Sequence, residues 1–310
     1  MSRLGKTFRK LKKYNTKGVS LENEPLASKV TYKTGGNARI YLEVCTIENF
    51  LHIMEVIRAD KIDYFVLGAG SNTLVSDNGY DGVVITLSGD LARIETLDES
   101  RIECGAGVRL SQAYMFASNL ELSGLEDGAG IPASIGGAVY MNAGAYNFQM
   151  SDIVEYVVAY VDGKITYFKK EECEFGYRES WFQHNDSIIL RVGLNLKKSS
   201  RDIIDSRFKE VLSQRLQSQP LDKPSAGCVF RRQEGVVVSR LLDECGLKGT
   251  KFGGAEVSKK HANFVINAGG ATSQDILELI EVMRHRVLTK TNIDLKTEIV
   301  KLGEFDEITW

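Results

Sequence analysis

GLEDGAGIPASIGGAVYMNAGAYN, residues 124–147, decides how the chain is read. Glycines at 128, 130, 136, 137 and 144 alternate with apolar residues, Pro132, Ser134 and Asn142. The stretch is too rich in glycine for a regular helix and too apolar for a solvated loop. Many backbone donors in a half-buried apolar setting suit a large flat cofactor carrying a diphosphate. The plainer alternative is a glycine-lined contact between a helix and a sheet. A second glycine cluster, Leu67-Gly68-Ala69-Gly70-Ser71-Asn72, follows the short apolar run Phe65-Val66-Leu67. Small residues let backbone N–H groups approach an anion, and Ser71 and Asn72 add donors. The cluster lacks the third glycine of a dinucleotide fingerprint and the lysine of a phosphate loop. Alone it reads equally as a tight turn. Two such loops on separate elements favour a dinucleotide.

The surroundings read as mixed α and β structure. Val30 to Val44 suggests two short strands about Gly35-Gly36. Thr46 to Ala59 has helical spacing at Phe50, Ile53, Met54 and Ile57, and Val83-Val84-Ile85 reads as a strand. Residues 90–198 look strand-rich, with hairpin turns at Asp98-Glu99-Ser100 and Asp162-Gly163. Ser111 is a candidate cap for a helix through Leu120. Beyond 199, a helix over Asp202–Leu216 stops before Pro220, and Thr272 caps another that runs to about Lys290. Short strands at Gly227–Phe230 and Ala262–Asn267 separate these helices. The pattern is α+β, with residues 1–88, 89–198 and 199–297 as three parts and a C-terminal strand in 298–310 returning to the first.

Composition excludes several classes. The 310 residues carry 39 Lys and Arg against 41 Asp and Glu, a net charge of −2, and 43% are hydrophobic. Neither bulk cationic nucleic-acid binding nor wholesale disorder fits. No apolar run reaches the ~18 residues of a membrane span. The start, MSRLGKTFRKLKKYN, has no apolar secretory core. The first 17 residues carry seven positive charges and no negative ones, which reads as a solvated basic leader helix. Five cysteines (45, 104, 173, 228, 245) and four histidines (52, 184, 261, 285) are scattered without metal-ligand spacing, so no metal site is expected. Reduced thiols in a cytoplasmic protein are expected instead.

Taken in order, the segments SLENEPLASKVTYKTGGNA, VLGAGSNTLVSDNGYDGVVI, GIPASIGGAVYMNAGAYN, FGYRES, PSAGCVF, KHANFVIN and LKTEIV resemble the UDP-N-acetylenolpyruvoylglucosamine reductase (MurB) family. The resemblance runs from about residue 20 to the end. It implies two FAD-binding subdomains of the vanillyl-alcohol-oxidase type and a smaller α+β substrate-binding domain. The compact spacing from Arg178 to Cys228 resembles the branch without an extra tyrosine-bearing loop. Non-covalent FAD, NADPH as reductant and a UDP-sugar substrate would follow, as would a monomer or weak dimer with no nucleic-acid or membrane partner.

The resemblance assigns Gly68, Ala69, Gly70, Ser71, Asn72, Gly128, Pro132, Ser134, Ile135, Gly136, Asn142, Ala143 and Gly144 to the cofactor. It assigns Tyr177, Arg231, Arg232 and Lys259 to the substrate. Arg178, Cys228 and Glu298 would be catalytic. Hydride addition to a vinyl carbon conjugated with a carboxylate builds charge on that carboxylate, which a bidentate guanidinium at Arg178 would stabilise. The plainer reading of Arg178 is a surface pair with Glu179 or Glu174. Glu298 would stabilise the intermediate or orient the proton donor, and reads otherwise as an exposed strand carboxylate. At position 228 the family most often has serine as the proton donor. A thiol with an ordinary pKa of about 8.5 is mostly protonated at neutral pH and can serve. A second departure is Gln233, where proline is usual. His261 reads as structural. Alternatives are a flavoenzyme of this fold with another substrate, and a non-catalytic binding paralogue.

Overall fold

The structure is a computed structural model that describes residues 3–146 and 148–308. Two compact units emerge. The first holds the described residues through Glu22, Ile40–Ala69 and Gly82–Ser213. The second holds Asn23–Arg39, Gly70–Asp81 and the chain from Gln214 onward.

In the first unit, the helix Ile47–Asp60 buries Phe50, Ile53, Met54 and Ile57 with Ile40, Leu42, Val83 and Ile85. Apolar residues at this spacing form one stripe of a helix. Thr46 caps it, its side chain accepting from the Asn49 amide at 3.2 Å, and Lys61 closes it in the left-handed region at φ 47°. Strand Tyr64–Val66 pairs in parallel with residues 83–85. The basic start is a helix, Arg3–Tyr14, but not a solvated one. Leu11 is fully buried, and Leu4 and Phe8 pack on the same core. Thr7 donates to Asp60 at 2.7 Å and Lys10 pairs with it at 2.7 Å. The i, i+4, i+7 spacing of Leu4, Phe8 and Leu11 supplies the packed stripe that the charge count obscured.

The same unit contains a five-stranded antiparallel sheet in the order Lys164–Lys169, Val154–Val161, Ser187–Asn195, Arg101–Gly105, Ile94–Thr96. Both hairpin turns lie where expected. Asp162 and Gly163 have φ 49° and 86°, the doubly positive pair that suits a two-residue hairpin. Asp98 accepts from the amides of Ser100 and Arg101 at 2.9 Å each. Ser111 is not the cap: the helix starts at Leu110, and the Arg109 amide donates to Gln112 at 2.9 Å. The expectation of no helix within 124–147 also fails. Ile135–Tyr140 is helical, with Ser134 accepting from the Gly137 amide at 3.2 Å. Gly136 allows it, because a Cβ there would meet that of Ala106 at 2.7 Å and the helix could not approach the sheet.

In the second unit, strands Lys251–Phe252, Ala255–Val257 and Val265–Asn267 form an antiparallel sheet under the helix Ser273–Thr291. Ile276, Leu279, Ile280, Met283 and Val287 pack against Val257, Val265, Val229 and Phe230. Thr272 caps the helix as expected, and Asp275 reciprocates, both bonds at 3.0 Å. Val300–Leu302 pairs in parallel with Thr73–Val75. Two expected strands are missing. Residues 30–34 lie in a turn after the 3-10 helix Ala27–Lys29, and the strand of that region begins at Asn37. Residues 227–230 make only an isolated bridge, Phe230 with Thr297. Among the described residues no helix is long and apolar enough to cross a membrane.

Candidate active site

In the second unit, Cys228 is half-buried and is followed by fully buried Val229 and Phe230. Burying those two side chains contributes roughly 1.5–3 kcal/mol each, which anchors the segment. Its main chain is tied on two sides. The Glu298 amide donates to the Val229 carbonyl at 2.8 Å, and the Arg231 amide donates to the Lys296 carbonyl at 2.9 Å. On the other side the Val229 amide donates to the Asn263 carbonyl at 2.8 Å. The Asn263 side chain accepts from the Phe230 amide at 3.0 Å and donates to the Phe230 carbonyl at 2.9 Å. Asn72 donates through its side chain to the Glu298 carbonyl at 3.1 Å, and its own carbonyl accepts from the Val300 amide at 2.9 Å. Cys228, Glu298 and Asn72 therefore share one hydrogen-bonded frame.

The basic candidates of this unit differ. Arg232 and Lys259 are exposed and Arg231 is half-buried. Arg231 Nε is buried and donates to nothing among the described residues. A buried donor without an acceptor is costly, and a substrate phosphate would satisfy it. The His261 ring lies edge-on to Phe264, with centroids 4.9 Å apart, and its Nδ1 accepts from the Asn263 amide at 3.3 Å. Burial first, then Lys248, hold its proton affinity below the ordinary histidine value.

In the first unit, Arg178 sits in the turn Gly176–Glu179, where the two end residues exchange amide bonds at 3.0 and 3.3 Å. Its backbone is left-handed, φ 56°. The guanidinium donates to the carbonyls of Asn142, at 3.3 Å, and Gly144, and lies 5.0 Å from the centre of the exposed Tyr177 ring. Glu179 pairs with His184 at 2.8 Å. Asn142 is buried. Its side chain donates to the Gly176 carbonyl at 2.8 Å and accepts from the Ser151 amide at 2.9 Å. Asn142 thus braces the arginine turn against the glycine-rich segment.

The two glycine loops differ in what their amides do. In 128–144 most are occupied: Gly128 donates to Leu125, Gly136 to Ala106, Ala138 to Ser134, Asn142 to Val139 and Ala143 to Ala138, while those of Gly130 and Ser134 donate to nothing among the described residues. Pro132 has no donor, and the Ile135 side chain is fully buried. In the other loop the amides of Gly68 and Ala69, and after the unit boundary those of Gly70 and Ser71, donate to nothing among the described residues. A side chain at Gly68 would strike Ser134 Oγ at 2.4 Å. In each unit such unpaired amides are donors of the kind an anionic group takes.

Residues 38–167 match the FAD binding domain model, and residues 219–302 match the C-terminal domain model of UDP-N-acetylenolpyruvoylglucosamine reductase. A UDP-N-acetylenolpyruvoylglucosamine reductase of Syntrophomonas wolfei is 41% identical over 283 residues, 91% of this chain and 94% of its own. One from Heliobacterium modesticaldum is 40% identical over 290 residues, 93% and 92% of the two chains. The chain belongs to the UDP-N-acetylenolpyruvoylglucosamine reductase family. The crystal structure of the family member MurB from Thermus caldophilus has a TM-score of 0.78 and 37% identity, covering 93% of this chain and 99% of that one. The α+β fold and FAD as cofactor follow for this member of the reductase family. Within the first unit, the unpaired amides of Gly68 and Ala69 are donors of the kind a diphosphate takes, whereas those of 128–144 chiefly hold the protein's own turns together. Asn263 was not singled out from sequence, although KHANFVIN contains it. Its bonds run to residues 33 positions earlier, and no local pattern signals that.

Proposed function

We propose that this reductase converts UDP-N-acetylenolpyruvoylglucosamine to UDP-N-acetylmuramate in peptidoglycan precursor synthesis, with NADPH as reductant. FAD, when bound and reduced by NADPH, would supply the hydride for the terminal vinyl carbon. Arg178 holds the substrate carboxylate, where negative charge builds, and a planar guanidinium does so bidentately. Cys228 gives the thiol proton to the neighbouring carbon, so the addition of hydride and proton balances. Glu298 steadies the charged intermediate through a protonated carboxyl, or orients the proton donor. Arg231 and Arg232 serve the UDP diphosphate, with Tyr177 and Lys259 also at the substrate. The three-part division at 88 and 198, a cytoplasmic location and a monomer or weak dimer belong to the same reading.

The observation that carries it is the bond from the Glu298 amide to the Val229 carbonyl at 2.8 Å. It sets the proposed acid and the proposed carboxylate on adjacent, joined segments. Substitution tests it. Cys228→Ala loses most of the rate of product formation, about 10³-fold, the scale of a positioned general acid. Cys228→Ser keeps measurable turnover. Equal rates for Cys228→Ala and the unaltered enzyme would remove the cysteine from the mechanism.

A further inference from the structure

We infer that Asn263 is a positioning residue that fixes the backbone carrying the proton donor. The inference deepens the reading in which Cys228 supplies the proton, and it rests on that reading. Segment 227–230 lacks a strand ladder and makes one isolated bridge. A segment held so sparsely needs other partners to keep a side chain within proton-transfer reach, roughly 2.6–3.2 Å. Asn263 supplies them. Its main-chain carbonyl takes the Val229 amide at 2.8 Å. Its side chain acts as a stand-in neighbouring strand, taking the Phe230 amide at 3.0 Å and giving to the Phe230 carbonyl at 2.9 Å. With Glu298 and Lys296 on the opposite side, every amide and carbonyl from the Val229 amide to the Arg231 amide is paired.

The N-terminal side of Cys228 is different. Gly227 has φ 78°, and a Cβ there would meet nothing within 4 Å among the described residues. Before Gly227 the chain is next held where Ser225 bridges Ile266, and Asn263 acts on the two residues that directly follow Cys228. Asn263 itself is only 5% exposed. An asparagine side chain offers a donor and an acceptor in one plane, so it can match both main-chain groups of one residue. Aspartate keeps the acceptor but loses the donor to the Phe230 carbonyl. Alanine loses both.

The test separates the two half-reactions of the FAD-loaded enzyme. Asn263→Ala and Asn263→Asp leave flavin reduction by NADPH within about twofold. They slow flavin reoxidation by the enolpyruvyl substrate about 30-fold, because a misplacement near 1 Å costs up to about 10²-fold. They also raise hydrogen exchange at the Val229 and Phe230 amides at least tenfold, a readout independent of turnover. Reoxidation within twofold of the unaltered enzyme would overturn the inference, as would an equal fall in both half-reactions. If neither variant folds, exchange in the unaltered protein decides. Val229 and Phe230 amides exchanging at least 100-fold more slowly than that of Gly227 support the clamp, and equal rates reject it. Full activity of Cys228→Ala alongside protected amides would instead remove the donor assignment while leaving the clamp in place.

Discussion

Two asparagines, one in each unit, brace two proposed catalytic residues in different ways. Asn142 contacts the Arg178 turn through one side-chain bond to the Gly176 carbonyl, and its own carbonyl receives the guanidinium. Asn263 holds the Cys228 segment through three bonds to Val229 and Phe230. Arg178 rides on a tight left-handed turn beside an exposed tyrosine, and Cys228 precedes two fully buried residues. The contrast follows from the chemistry assigned to each. Charge stabilisation falls off gradually with distance. Proton transfer requires hydrogen-bond reach. A cation on a braced turn suffices for the first, and a proton donor needs a rigid frame.

Arg178 is where the comparison breaks most easily. Arg178→Ala lowers the rate of substrate-driven flavin reoxidation about 10³-fold, the scale of losing a charge-stabilising donor. Arg178→Lys recovers part of it, leaving a deficit of about 10²-fold, because an ammonium cannot bind a carboxylate bidentately. Full activity in Arg178→Lys would show that the fork geometry is irrelevant.

Asn142→Ala is milder, because its turn keeps the Gly176–Glu179 bonds. A tenfold fall in reoxidation is expected, together with a stability loss of about 1–3 kcal/mol from the stranded Ser151 amide. Denaturant titration reads the second effect. A stability loss without any change in reoxidation would make Asn142 purely structural, and the parallel with Asn263 would fail.

The cysteines give a sharper, smaller contrast. Burial pushes the thiols of Cys104 and Cys173 up to about 12, with nearby glutamates adding to the effect. Cys228 and Cys45 are only half-buried. Peptide mapping after iodoacetamide treatment at pH 7.5 should find Cys228 modified at least tenfold faster than Cys104 or Cys173. Equal modification would show that the second unit does not present its thiol.

The smallest effect concerns His261 beside Asn263. Its folded pKa is depressed by burial and by Lys248, so the unfolded chain binds the proton more readily. Stability is therefore lost as pH falls below the unfolded value of about 6.5, down to the folded pKa. Protonating Nδ1 would also remove the acceptor for the Asn263 amide. His261→Gln should flatten this part of the stability–pH curve, and an unchanged slope would contradict the assignment.

What was legible in the sequence was local. Thr272 and Asp162-Gly163 each fix structure within four residues, and each lies where its chemistry required. What was not legible depended on distant partners. The apparent strand at 227–230 is held instead by Asn263 and Glu298. Arg109, not Ser111, starts its helix. The basic leader packs its Leu4, Phe8 and Leu11 stripe on a core drawn from residues far along the chain, with Asp60 receiving Lys10 and Thr7. The glycine loop with more glycines uses most of its amides internally, and the plainer loop at 68–71 leaves them unpaired. Glycine count alone could not rank the two.

The central claim is an FAD enzyme with two half-reactions, the second ending in protonation by Cys228. An anaerobic titration of the purified, FAD-loaded protein tests it most directly. One equivalent of NADPH should bleach the flavin band, and UDP-N-acetylenolpyruvoylglucosamine should then restore it with formation of UDP-N-acetylmuramate. Bleaching without recovery would contradict the assigned substrate step, and a protein that takes up no FAD would contradict the account at its base.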